Sequence, residues 1–215
     1  MKENEIQTEL QTIRNLMERS AKFISLSGLS GILAGVYALI GATIAYRFIY
    51  TKISEIPPDF DHDSIKAFFY DGDINTAISF LSLIALIVLI ASIGTGVFLT
   101  LRKAKKKGQP IWGHSSKALL FHMATPLITG GALIVIFISR GYFGIIAPAS
   151  LLFYGLSLIG ASSFTFSMVK YLGLCEIALG LIAACFPRYG LLFWAIGFGI
   201  LHIVYGSVMY FKYDK

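Results

Sequence analysis

The stretch TAISFLSLIALIVLIASIGTGVFLTL, residues 76–101, contains no charged side chain and runs directly into the basic segment RKAKKK at residues 102–107. A helix of about 20 apolar residues is long enough to cross the roughly 30 Å hydrocarbon core of a bilayer. A run this long and this apolar is typical of a transmembrane helix. Its continuity excludes a membrane β-barrel, whose strands are about ten residues long and alternate apolar with polar side chains.

The rest of the chain has the same character. Apolar residues make up 56% of the 215 residues and charged residues 14%, and the mean hydropathy is +0.72, which is typical of membrane proteins and not of water-soluble domains. Apolar runs of spanning length occur near residues 24–46, 76–101, 115–138, 145–166, 168–186 and 191–211. We therefore predict an all-α, polytopic membrane protein: a six-transmembrane-helix bundle over residues 23–215, with an acidic outer loop at 51–75 and a basic cytoplasmic loop at 102–114.

Lysine and arginine residues predict the orientation of these helices, because cytoplasmic flanks carry the excess of positive charge. With the N-terminus inside, 13 of the 18 basic residues lie on the cytoplasmic side and 5 on the other. Both termini should then be cytoplasmic, in what we expect to be the inner membrane of a bacterium. The net charge of +6 indicates contact with anionic lipid headgroups and not with nucleic acid, because the densest basic run adjoins a span. The expected headgroup contacts are Arg102, Lys103, Lys105, Lys106 and Lys107.

Residues 1–22 form a polar segment with one apolar seam. Four apolar residues recur at spacings of four, three and four: Ile6, Leu10, Ile13 and Met17. This spacing predicts an amphipathic cytoplasmic helix that pairs with a protein partner or a second copy of the chain, although a helix lying flat on the bilayer is an alternative.

Small residues line one ridge of the first span: Gly28, Gly31, Gly35, Ala38 and Ala42. Such ridges let helix backbones approach closely. Packing inside the bundle is the favoured interpretation, and homodimerisation the alternative. The similar segments GLSGILAG at 28–35 and GLSLIGAS at 155–162 hint at a repeat of three helices plus three.

Glu176 is an acidic residue inside the apolar fifth run. On a helix its face is shared with Gly173, Gly180 and Ala183, which are all small. A face of small residues packs against other helices, so Glu176 should point into the bundle. An unpaired ionised carboxylate at this depth costs several kcal/mol, so Glu176 either shares its proton with a neighbouring imidazole or, if isolated, stays protonated.

Two histidines also lie on helix faces made of small or polar residues. The face of His202 carries Ala195, Gly199 and Gly206, and the face of His122 carries threonines, with Pro126 beside them. Both should therefore point inward. Counted from the cytoplasmic ends of their spans, the two histidines and Glu176 lie at similar depths, about 10–14 Å in at the helical rise. We predict one buried cluster of His122, Glu176 and His202, with three residues around it: Tyr205, Cys175 and Thr125.

Three functions are open, two of which use this cluster, and in a further interpretation the three side chains only hold the helices together by hydrogen bonds. A proton relay in transport or sensing needs an acid and imidazoles in a shielded cavity. A metal or haem protein, with or without enzymatic activity, could use the same residues, with zinc held by His122, Glu176 and His202 or haem by the two histidines. No HExxH or paired-cysteine spacing accompanies them, so no enzymatic reaction is assigned. A scaffold or regulatory subunit, acting through the N-terminal helix and the basic loop, is the remaining alternative.

GASSF at 160–164, taken with His202, resembles the serine motif and histidine of the rhomboid intramembrane proteases. The resemblance implies a serine nucleophile at Ser162 or Ser163. The predicted topology puts these serines at the cytoplasmic end of their span, opposite to the rhomboid arrangement, and no histidine-rich second span accompanies them. Interhelical serine packing is the favoured interpretation.

Overall fold

The structure is a computed structural model that describes Gln7 and residues 27–54, 74–106, 108 and 112–214. Three predictions lie wholly or largely outside these residues: the helix at 1–22 with its Ile6, Leu10, Ile13 and Met17 seam, most of the acidic loop at 51–75, and the headgroup contact of Lys107.

Helices account for nearly all of the described chain, and no strand occurs in it. They are α1 (Gly28–Ser54), α2 (Ile74–Lys106), α3 (His114–Ser139), α4 (Ile146–Ser162), α5 (Met168–Cys185) and α6 (190–214). Short 3₁₀ turns at Phe143–Ile145 and Pro187–Tyr189 precede α4 and α6. Six segments of the described residues, one in each helix, are long and apolar enough to cross a membrane. The predicted all-α class and the six candidate spans are therefore confirmed.

Two helices end at other residues than the approximate ends of the expected spans. The basic loop expected from residue 102 begins as helix, because α2 continues to Lys106 with Lys103, Lys105 and Lys106 in its last turn. Positive side chains stabilise the negative end of the helix dipole, so they extend the helix. The fourth span was expected to reach residue 166, yet α4 ends at Ser162. The Ser162 hydroxyl, on the last residue of α4, donates to the Ile159 carbonyl at 2.7 Å.

The last helix, α6, is not a regular α-helix. Its segments Ala195–Leu201 and Tyr210–Asp214 are π-helical, and they flank the α-helical turns of His202–Met209. The first π-segment contains Gly197 and Gly199, both buried. Glycine has a low helix propensity, and π-segments inside longer helices occur often at functional sites.

The described residues fall into two compact units. The central unit, residues 99–190, contains α3, α4, α5 and the end of α2. The terminal unit, residues 27–98 and 191–214, contains α1, most of α2 and α6. This grouping does not test the three-plus-three repeat that the two similar segments suggest, and the repeat stays a prediction.

In the terminal unit, α1 packs against α6 through glycines. A methyl group on Gly35 would lie 2.6 Å from the carbonyl oxygen of Gly199, and one on Gly28 would lie 2.6 Å from that of Gly206. The small-residue ridge of α1 therefore contacts a helix of the same chain, as the favoured interpretation predicted. On another face of α1, Phe48 contacts Phe80 of α2 with ring centroids 4.3 Å apart.

In the central unit, α4 packs against both α3 and α5. Towards α5, Gly155 lies directly against Gly173. Towards α3, Phe153 fills the space beside Gly130, and Gly160 lies over the backbone of His122. On the same helix, Leu151 and Ser157 have no exposed surface.

Candidate functional site

Glu176 lies on α5 and has no exposed surface. Gly173, Gly180 and Ala183 share its face, and all three are buried. Methyl groups on the two glycines would lie 3.1 Å from Leu158 and 2.9 Å from Leu152 of α4. The small residues therefore bring this face of α5 against α4, and Glu176 is buried as they predicted.

His202 lies on α6 and is 6% exposed. Its Nδ1 atom lies 3.0 Å from the carbonyl oxygen of Gly197, five residues earlier in the π-helical segment. A carbonyl oxygen can only accept a hydrogen bond, so Nδ1 carries the hydrogen. In the neutral ring Nε2 is then the nitrogen with the lone pair. The ring of Phe198 stacks on the imidazole with centroids 6.0 Å apart, which leaves Nε2 as the atom that can accept a proton.

His122 lies on α3, and its side chain is exposed. The imidazole stacks on Phe164 in the turn after α4, with ring centroids 4.9 Å apart. Thr125 is also exposed, and its hydroxyl donates to the Phe121 carbonyl at 2.9 Å. The expected burial of this polar stripe is wrong. The backbone and Cβ atom of His122 lie under α4, at Gly160, and the ring stacks beside the turn at 163–167.

Two other residues were expected around the cluster. Cys175 is exposed, as is Cys185. Adjacent residues of a helix point about 100° apart, so the burial of Glu176 does not extend to Cys175, and the place of Cys175 around the cluster stays a prediction. Tyr205 is half-buried on α6.

Glu176 and His122 belong to the central unit, whereas His202 and Tyr205 belong to the terminal unit. A single cluster of the two histidines with Glu176 stays a prediction. Among the described residues, no three His, Cys, Asp or Glu side chains are grouped so that they could hold a metal ion. The zinc interpretation therefore has no support in this part of the chain, and the haem interpretation stays a prediction.

No protein-family model matches the chain, and comparisons with curated proteins and with solved structures give no significant match. The chemistry of the chain's own buried and charged side chains is therefore the guide to its function.

Two features of the central unit escaped the sequence-based predictions. The Nζ atom of Lys103 lies 5.9 Å from the ring centre of Phe166, which ties the end of α2 to the turn between α4 and α5. Ser157 is fully buried on α4. Its position in GLSLIGAS resembles that of Ser30 in GLSGILAG, and nothing in the segment itself distinguishes a buried serine from a half-buried one.

Proposed function

We propose that this chain is a small integral membrane protein in which Glu176 and His202 take up and release protons during transport or sensing. The observation that carries the proposal is the complete burial of Glu176 in a helix apolar enough to cross a membrane. Ionisable side chains are rare in such helices because burying them is costly, and they commonly mark proton or ion pathways.

Proton binding at these two side chains changes the charge inside the protein by one unit. Moving a charge into a poorly hydrated interior costs several kcal/mol, so the conformation that best accommodates each protonation state is favoured in turn. The carboxyl oxygens of Glu176 and the Nε2 atom of His202 are the atoms that would hold the proton. In the proposed mechanism, Glu176 and His202 act together in one cluster with His122.

Proton flux in liposomes tests the transport form. Purified protein is reconstituted with a pH-sensitive dye inside, and a pH gradient is imposed. Glu176→Gln keeps the size of the side chain and removes its titration, so we expect the flux to fall on the order of a hundredfold. Cys185→Ala is the control, because Cys185 is an exposed residue at the end of the same helix. Wild-type flux in Glu176→Gln would contradict the proposal.

Tryptophan fluorescence tests the sensing form. Trp194 lies against Phe198 with centroids 5.1 Å apart, and Phe198 stacks on His202. In a Trp112→Phe background, the emission of Trp194 should change with pH as His202 gains a proton, and His202→Phe should abolish the change. A protein that conducts no protons and shows no such change is not a proton-handling protein.

The membrane location and orientation are also proposals. We propose that both termini are cytoplasmic and that the membrane is a bacterial inner membrane, on the support of the 13-to-5 distribution of basic residues. Thiol labelling of Cys185 in intact cells tests the orientation.

A membrane scaffold or regulatory subunit is the second candidate function, and the charges of the central unit favour it. Exposed basic side chains gather at one end of this unit, where α2 ends and α3 and α5 begin: Arg102, Lys105, Lys106, Lys117 and Lys170. Glu176 is the only acidic residue between 99 and 190, and it is buried, so neutralising anions have to come from outside the unit. Anionic lipid headgroups supply them at a membrane surface. The Ile6, Leu10, Ile13 and Met17 seam is the proposed contact for a protein partner or a second copy, and crosslinking from residue 10 tests it.

A further inference from the structure

The hydroxyl group of Ser157 is unusual among those near it. Ser157 has no exposed surface, and its Oγ atom has no hydrogen-bond partner among the described residues. Other hydroxyls of the central unit donate to a carbonyl of their own helix: Thr125, Thr129, Ser150 and Ser162. Buried polar groups are nearly always hydrogen-bonded, so the Ser157 hydroxyl calls for a partner that is not its own backbone.

The helical register places Ser157 in the interface between α3 and α4. Phe153 contacts Gly130 of α3, and Gly160 lies over His122 of α3. Ser157 falls between these two α4 residues on the same face of the helix. On α3 the midpoint between the two contacts is Pro126, so Ser157 and Pro126 lie at the same level of this antiparallel pair.

Pro126 leaves a second polar group in the same interface. Proline has no amide hydrogen, so the carbonyl of His122, four residues earlier, lacks its usual helical donor. That carbonyl points at α4, since a methyl group on Gly160 would lie 3.1 Å from its oxygen. Gly160 is three residues after Ser157, which is about one helical turn. An acceptor without its helical donor and a buried hydroxyl therefore lie one turn apart on facing helices.

We infer that the α3–α4 interface binds an ordered water molecule between the Ser157 hydroxyl and the His122 carbonyl. Water fits both groups, because it can donate to the carbonyl while accepting from, or donating to, the hydroxyl. Buried waters typically satisfy two to four such groups that the protein leaves unbonded. The inference is independent of the proposed proton chemistry, since it involves neither Glu176 nor His202.

The effect of removing the Ser157 hydroxyl on thermal stability tests this inference. In the simpler explanation, the hydroxyl bonds to a carbonyl of its own helix or stays unbonded, and no water is bound. Ser157→Ala removes one anchor of the water and leaves the His122 carbonyl without a partner, so the thermal unfolding midpoint in lipid nanodiscs should fall by about 2–4 °C. Ser162→Ala is the matched control, because that hydroxyl already bonds to Ile159. An unchanged or raised midpoint in Ser157→Ala overturns the inference.

A double variant checks the second anchor. Pro126→Ala restores an amide hydrogen for the His122 carbonyl, so the carbonyl no longer depends on the water and its contact with the water weakens. In the Pro126→Ala background, Ser157→Ala should lower the midpoint by less than half of its effect in the wild-type protein. Equal effects in the two backgrounds would show that the hydroxyl and the carbonyl do not share a ligand.

Radiolytic hydroxyl labelling detects the water directly and does not depend on the variants folding. Bound water activated by X-rays modifies the side chains next to it. In the wild-type protein Phe153 and Pro126 should be labelled more strongly than other half-buried apolar residues of the same two helices, such as Leu127 and Leu152, and Ser162→Ala should not alter this. Labelling of neither residue in the folded wild-type protein contradicts the inference.

Discussion

Gly155 of α4 and Gly173 of α5 lie backbone to backbone. A methyl group on Gly155 would stand 2.6 Å from the carbonyl oxygen of Gly173, and one on Gly173 would stand 2.7 Å from that of Gly155. Close crossings of this kind stabilise helix pairs in membranes through dispersion contacts. Glu176 is three residues after Gly173 on the same buried face, so the crossing also determines where the carboxyl group lies.

Replacing either glycine should therefore destabilise the central unit. We expect Gly173→Ala and Gly155→Ala each to lower the free energy of unfolding by about 1–3 kcal/mol, because the neighbouring atom is backbone and cannot move aside. The measurement is the thermal unfolding midpoint in lipid nanodiscs. Gly131→Ala on α3 is the control, because no atom lies within 4 Å of the added methyl group, and alanine improves helix propensity by about 1 kcal/mol. Equal behaviour of the three variants would show that α4 and α5 do not cross here.

The hydrogen bond from His202 to Gly197 makes a prediction about the imidazole. Nδ1 donates to the carbonyl at 3.0 Å, so the neutral ring should carry its hydrogen on Nδ1 and a lone pair on Nε2. Solid-state ¹⁵N NMR of histidine-labelled protein distinguishes the two nitrogens by chemical shift. His122, which is exposed on α3, is the internal comparison, and His122→Gln assigns its signals. A neutral His202 with its hydrogen on Nε2 would rule out the bond.

The six candidate spans could be predicted from the sequence because run length and hydropathy are local properties. The burial of Glu176 could be predicted for a similar reason, since the small residues that let another helix approach lie on its own helix. The two GLS segments also mark helices that make close glycine contacts, α1 with α6 and α4 with α5, although they do not predict how the helices group.

His122 shows where local information was insufficient. Its polar neighbours suggested a buried face, but the hydroxyls of Thr125 and Thr129 are satisfied by carbonyls of α3 itself and need no partner on another helix. The contact with α4 is instead centred on Gly130 and on the backbone of His122. A neighbouring helix covers only part of a helix face, and the neighbour determines which part. The sequence of one helix alone therefore does not predict which of its residues are buried.

The basic end of the central unit should respond to anionic lipid. We expect the thermal midpoint to rise when anionic phospholipid replaces part of the zwitterionic lipid in nanodiscs, because each surface lysine or arginine contributes about 1 kcal/mol of attraction. The double variant Lys105→Gln, Lys106→Gln should lose at least half of that rise. Arg140→Gln, Arg188→Gln removes the same number of charges from the other end of the unit and should retain it. Equal losses in both double variants would indicate a general charge effect without a headgroup site.

The two cysteines allow the orientation to be measured with native side chains. Both are exposed, but Cys175 lies mid-way along α5 and Cys185 is its last residue. If α5 crosses from the cytoplasm outward, Cys185 reaches the outer surface while Cys175 faces hydrocarbon. A membrane-impermeant maleimide added to intact cells should therefore label Cys185, because thiols react as hydrated thiolates. Cys185→Ser should abolish the labelling and Cys175→Ser should preserve it. Labelling that appears only after the membrane is opened would reverse the orientation, and with it the assignment of the basic end to the cytoplasm.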